Sequence, residues 1–163
     1  MLLGIISDTH NNLSNLRTAL DMFRREGVAD IIHCGDLTTP ATARALAGFR
    51  VIHVLGNGDM AAGEIRAALL ESNPDSCSGD MFTGDLGGRR IAAAHGHNRR
   101  LLEALITSGH YDFVFCGHSH RRRDELIGST RVVNPGALGG TNREERSVCI
   151  LDLATGDLRF LAI

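Results

Sequence analysis

The N-terminal third of the chain alternates short apolar runs with longer amphipathic stretches, a rhythm that leaves few folds open. Leu2–Ile6, Asp30–Cys34 and Val51–Leu55 read as buried strands. Between the first two, Leu13, Leu16, Leu20 and Phe23 share one face of a helix predicted from Leu13 to Glu26. Asn11 or Asn12 can cap this helix and Gly27 can stop it. Pro40 opens a second helix, predicted to run through Ala47. Strand, helix, strand, helix, strand is the order of a parallel sheet with crossover helices.

Further along, Ala61–Leu70 is predicted helical, and Ser72–Gly79, polar and broken by Pro74, is predicted to be a loop. Met81–Leu86 and Arg89–Ala94 flank Gly87-Gly88, a two-residue hairpin turn. Asn98 caps a predicted helix ending near Ser108, with Leu101, Leu102, Leu105 and Ile106 on its buried face. Tyr111–Cys116 reads as another strand. Asp124–Ile127 and Thr130–Val133 flank Gly128-Ser129, another hairpin signal, and the predicted strands Ser147–Leu153 and Leu158–Ile163 flank Ala154–Asp157. The expected architecture is a single α/β domain over residues 1–163, with two sheets face to face and helices outside. Sheet order is not legible at this level.

The 163 residues suffice for one sizeable core. A net charge of −2 provides no general attraction for nucleic acid or anionic membranes, and every basic residue is Arg. Cys34, Cys77, Cys116 and Cys149 are widely spaced, without a Cys-x-x-Cys pair, and read as buried free thiols in a reducing compartment. The apolar run at the N-terminus is too short for a membrane span. A cytoplasmic location is expected.

Five predicted strands end in residues able to bind metal: Asp8 and His10, Asp36, Asn57, His95, and His118 with His120. Sites in α/β proteins assemble at the carboxyl ends of strands. His118 and His120, two residues apart after an apolar run, read as the end of a buried strand, where residues i and i+2 point the same way. Taken singly, each residue has an ordinary use as a cap, a turn residue or a packed imidazole. Together they form a mixed set of two carboxylates, one amide and four imidazoles, too many for one tetrahedral zinc. The set divides between two divalent metals if one carboxylate bridges them. Mixed N/O ligation suits manganese, iron, nickel or zinc better than calcium.

Asp8-x-His10, Gly35-Asp36, Gly56-Asn57-x-Asp59, His95-Gly96-His97 and Gly117-His118-x-His120 occur in that order, followed by Asn134-Pro135-Gly136. This series resembles the calcineurin-like metallophosphoesterases, in particular their small bacterial and archaeal phosphodiesterase branch. The resemblance implies a four-layer α/β/β/α sandwich. It implies one metal held by Asp8, His10, Asp36 and His120, and another by Asp36, Asn57, His95 and His118, with Asp36 bridging. Many members carry His directly after the motif Asn, where it protonates the leaving group; here that position is Gly58.

The groups expected nearest the chemistry are Asn57 and His118, chiefly as ligands, and His97 as a substitute acid. Asp59 is expected to orient a ligand from behind, and Arg99 or Arg121 to contact phosphate. His33 and His53 are expected to be packed within strands and His110 to be exposed. Ser72–Gly79 and Gly139–Arg146 are expected to form the rim. The implied activity is metal-dependent hydrolysis of a small phosphate ester, most readily an activated diester, by in-line attack of a hydroxide shared by two metals. Manganese is favoured, with Ni, Fe, Zn and Mg as alternatives. The competing readings are a protein-binding scaffold, like the related eukaryotic retromer subunit, and a nuclease. A homo-oligomer is compatible with the sequence.

Overall fold

The computed structural model describes residues 1–141 and 145–163. In chain order its first elements are β1 (Leu2–Ile6), α1 (Leu13–Glu26), β2 (Asp30–His33), α2 (Pro40–Arg44), β3 (Arg50–Val54), α3 (Ala62–Ser72) and β4 (Cys77–Gly79). There follow β5 (Met81–Leu86), β6 (Arg89–Ala94), α4 (Arg99–Thr107), β7 (Phe113–Phe115), β8 (Arg122–Ile127), β9 (Thr130–Pro135), β10 (Ser147–Asp152) and β11 (Leu158–Ala162).

The strands form two sheets, ordered β11-β10-β1-β2-β3-β4 and β5-β6-β7-β9-β8. In the first, β1 to β4 run parallel and β10 and β11 close one side antiparallel. In the second, β6, β7 and β9 run parallel, with the hairpin partners β5 and β8 antiparallel at the edges.

Alternation along the strands assigns the layers. Leu3, Ile5, Ile32 and Val54 face inward against Ile91, Phe113, Phe115 and Val133 of the other sheet. On the opposite face of the first sheet, Ile6, Ile31 and Val51 pack against Leu16, Leu20 and Phe23 of α1 and Ile65 and Leu69 of α3. On the outer face of the second sheet, Leu105 and Ile106 of α4 cover Ala92, Ala94, Val114 and Val132. The result is the expected four-layer α/β/β/α sandwich. No helix is long and apolar enough to cross a membrane among the described residues.

Helix α1 matches its predicted span. The Asn12 side chain accepts from the Asn15 amide, and Gly27 ends the helix in the left-handed conformation at φ 77°. Three local expectations change. Ser72–Gly79 is not all loop, because Cys77–Gly79 adds β4 in parallel beside β3. Three short residues carry no apolar alternation, so only pairing with β3 makes them a strand. Helix α2 ends at Arg44 rather than Ala47, and β7 ends at Phe115 rather than Cys116. Of the expected rim segment Gly139–Arg146, residues 142–144 lie outside the described residues.

Candidate metal centre

The parallel strands β1, β2 and β3 of the first sheet and β6 and β7 of the second deliver their carboxyl ends to one edge, and the chain stitches those ends together. The Asp8 amide donates to the Gly35 carbonyl at 2.9 Å, the His10 amide to Asp36 at 3.0 Å, and the Gly117 amide to His95 at 2.9 Å. Each strand then turns abruptly. Asp8, His10, Asp36, His118 and His120 all adopt left-handed backbone, with φ between 45° and 64°. Such a conformation disfavours non-glycine residues by roughly 1–2 kcal/mol each. Its concentration on five candidate ligands marks a site whose geometry overrides local preference.

The same observation corrects the extended reading of His118 and His120. Both residues lie beyond β7 in a tight loop held by donation from the His118 amide to Asp8 Oδ2 (3.0 Å) and from Asn134 Nδ2 to the Gly117 carbonyl (2.8 Å). The two imidazoles therefore diverge. His118 packs near His95, with ring centroids 5.0 Å apart, and His120 near His10, with Nε2 atoms 3.4 Å apart.

Both carboxylates commit one oxygen to the chain and present the other to imidazoles. Asp8 Oδ2 accepts from Ser7 Oγ and the His118 amide, whereas Oδ1 faces Nε2 of His120 (3.2 Å), His10 (3.8 Å) and His95 (4.0 Å). Asp36 Oδ1 accepts from the Gly58 amide at 2.6 Å, whereas Oδ2 faces Nε2 of His95 (3.5 Å) and His10 (3.6 Å). Ligand atoms within 4.8 Å of one another define two clusters, Asp8 with His10 and His120, and Asp8 with Asp36 and His95.

Among the described residues, buried Asp8 Oδ1 and His95 Nε2 make no hydrogen bond. His95 Nδ1 lies 2.7 Å from the Cys34 carbonyl, which can only accept, so Nδ1 carries the proton and Nε2 is left to face the carboxylates. A lone pair opposite two carboxylates is unfavourable unless a cation stands between them. The donor set thus fits divalent metal.

The same carboxylates favour positive charge at His95, whether a proton or a metal ion supplies it. Burial pushes the His95 pKa down, but Asp36 and Asp8 outweigh it and leave the net shift upward. Burial pushes Asp36 up, and His95 with the Gly58 amide brings it below the usual carboxylate range. Burial and the neighbouring His95 lower His118.

Behind the carboxylates lies a layer that the sequence revealed only partly. Asp59 accepts from the amides of Gly56 (2.8 Å), Asp36 (3.0 Å) and Thr38 (2.6 Å), and His53 Nε2 lies 3.3 Å away. Burial raises the Asp59 pKa, but His53 and these amides hold it well below the usual range. Ser78 of β4 contacts His53 Nδ1 at 2.9 Å, so the short strand missed in the sequence supports the site. His33 receives the Gly35 amide on Nδ1 and therefore donates from Nε2 to Thr9 Oγ1 at 2.8 Å. Burial, with His53 nearby, lowers its pKa to about 3, so it stays neutral. Register pairs His33 directly with His53, and two histidines in register on adjacent strands were the available signal.

The remaining candidates lie outside these clusters. Asn57 is exposed on the turn between Gly56 and Gly58. His97 is exposed, its ring 5.5 Å from that of His95 and 6.4 Å from that of His118. Arg99 begins α4 and Arg121 follows His120, both exposed; His110 is exposed as expected. A cavity of about 490 Å³ opens beside His10 and His120, lined also by Asn12, Gly140 and Thr141.

The sequence model of the calcineurin-like phosphoesterase superfamily domain matches residues 1–156. The chain belongs to this superfamily. Within the calcineurin-like phosphoesterases, it is 31% identical over 165 residues to phosphodiesterase MJ0936 of Methanocaldococcus jannaschii, covering 100% of this chain and 99% of that one. It superposes on the structure of an archaeal phosphodiesterase with a TM-score of 0.94 at 31% identity, over 100% of both chains. The fold also matches zinc-complexed Vps29 of Entamoeba histolytica, with a TM-score of 0.69 at 19% identity over 100% and 98% of the two chains.

Proposed function

We propose that this chain hydrolyses phosphodiesters at a centre of two divalent metals. The observation that carries this reading is the pair of buried atoms Asp8 Oδ1 and His95 Nε2, which make no hydrogen bond among the described residues and face one another's carboxylates and imidazoles at the edge where the strands end. Asp36 Oδ2 is almost equidistant from His10 (3.6 Å) and His95 (3.5 Å), which supports Asp36 as the bridge. Asp8 Oδ1 lies closer to His120 (3.2 Å) than to His95 (4.0 Å), which supports its assignment to the first ion. One ion would then be held by Asp8, His10, Asp36 and His120, and the other by Asp36, Asn57, His95 and His118.

When bound, such metals supply an acidified water and positive charge at the phosphoryl oxygens. The chain's residues hold that arrangement rigid: Ser7 and His118 fix Asp8, Gly58 and Asp59 fix the Asp36 segment, and Cys34 fixes the tautomer of His95. Manganese suits this mixed N/O set. Arg99 and Arg121 contribute donors for phosphate at the rim. The net charge of −2 offers a nuclease no basic track. Of the four free cysteines expected to be buried, Cys34, Cys116 and Cys149 are, whereas Cys77 on the edge strand β4 is exposed; the set suits a reducing compartment, and we assign the chain to the cytoplasm.

Gly58 provides no protonating side chain, so leaving groups that depart as stable anions are favoured. His97 is the nearest substitute acid. A substrate panel on manganese-loaded protein tests this reading: bis-p-nitrophenyl phosphate is expected to turn over faster than alkyl monoesters. A preference for alkyl monoesters contradicts it.

A further inference from the structure

The outer face of the second sheet is covered by one helix, and the cover is incomplete. Between α4 and the β8 edge runs a groove of about 400 Å³ that reaches His118 and Gly117 at one end. Its apolar lining comes from separate elements, Leu102 and Ile106 of α4, Cys116 after β7 and Ile127 of β8, and its charged lining from Arg99, Arg123 and one carboxylate, Glu103. Arg99 lines the same groove and makes no hydrogen bond or ion pair among the described residues. An apolar floor with a few polar groups and a volume above about 300 Å³ is the composition of a small-molecule site.

We propose that this groove binds an aromatic ester group of the substrate diester, so that the preferred substrates are aryl phosphodiesters. The inference rests on the phosphodiesterase reading, since His118 joins the groove to the metal centre. Three observations commit the groove to this occupant. It is continuous with the centre, so a group attached to a phosphate there can enter it. Its floor is apolar, and a phosphate-bearing ligand meets a guanidinium at Arg99 that also stacks on aromatic faces. Finally, an aryl oxide is the kind of leaving group that the missing side chain at Gly58 requires, an argument independent of the groove's shape.

The test compares phenylphosphonate with methylphosphonate, two non-hydrolysable probes that share the anionic head, by calorimetry on manganese-loaded full-length protein. Burying a phenyl ring favours phenylphosphonate by on the order of tenfold or more. Leu102→Gln and Ile127→Thr keep helix and strand propensity while making the floor polar. Combined, they are expected to bring the affinity ratio to within about twofold of unity, with the melting temperature as a check on folding. Because the two positions lie on different elements, each single variant must also lower the ratio. Equal affinities in wild-type protein, or a ratio unchanged in the double variant, overturn the groove assignment. That failure is distinct from failure of the phosphodiesterase reading, which would be loss of metal-dependent diester hydrolysis by the wild type itself.

Discussion

The Gly58 amide donates to Asp36 Oδ1 at 2.6 Å, and a Cβ on Gly58 would stand only 3.0 Å from the same oxygen. The missing side chain and the fixed carboxylate are therefore one feature. A Cβ on Gly56 would be far worse placed, 2.2 Å from that oxygen.

Substitution at these two glycines should accordingly be graded. Gly58→Ala requires Asp36 to give by a few tenths of an ångström and is expected to weaken metal binding several-fold. Gly56→Ala cannot be accommodated without moving the carboxylate and should reduce metal affinity by roughly 100-fold or prevent folding. Manganese titration with thermal melting of both variants checks the order; equal effects would contradict it.

His118 and His120 should serve different ions. His120→Ala is expected to release the metal held with Asp8 and His10, and His118→Ala the one beside His95. Anomalous scattering from manganese-soaked crystals of each variant reads out which position empties. Loss of the same ion in both variants would refute the division.

The depressed Asp59 carboxyl makes a signed prediction about pH. A group whose folded pKa lies below its unfolded value of about 4 contributes stability that is fully present above that value. The contribution is lost as pH falls toward the folded value. In metal-free protein, Asp59→Asn should therefore be less stable than wild type by roughly 2–3 kcal/mol at pH 7, with the gap shrinking at pH 3. Urea denaturation at both pH values measures this; a gap that widens at pH 3 has the wrong sign.

Phe115 is fully buried between the sheets, and Phe115→Ala should cost about 3–5 kcal/mol in urea unfolding through the cavity it leaves. A loss below about 1 kcal/mol would mean that the inter-sheet layer is not the main core.

What was legible in the sequence follows from the range of the forces involved. Helix α1 was legible in full because Asn12, the apolar face and Gly27 are all local signals. Strand β4 was not, because Cys77-Ser78-Gly79 becomes a strand only through its pairing with Ile52, His53 and Val54. The metal-binding residue types stood out by their positions after apolar runs. Their backbone did not: a histidine gives no local sign of left-handed φ, so His118 and His120 read as extended until the contacts with Asp8 and Asn134 were seen. The support from His33 and His53 escaped for a related reason, since their roles depend on Thr9 and Asp59 brought from other segments.

The central claim, a two-metal phosphodiesterase centre, is tested most directly by titrating metal-free protein with Mn²⁺ while following hydrolysis of bis-p-nitrophenyl phosphate. A two-metal centre gives no turnover without metal, activity that saturates at two equivalents, and loss of activity in Asn57→Ala. Turnover by the metal-free protein, saturation at one equivalent, or full activity in Asn57→Ala would contradict it.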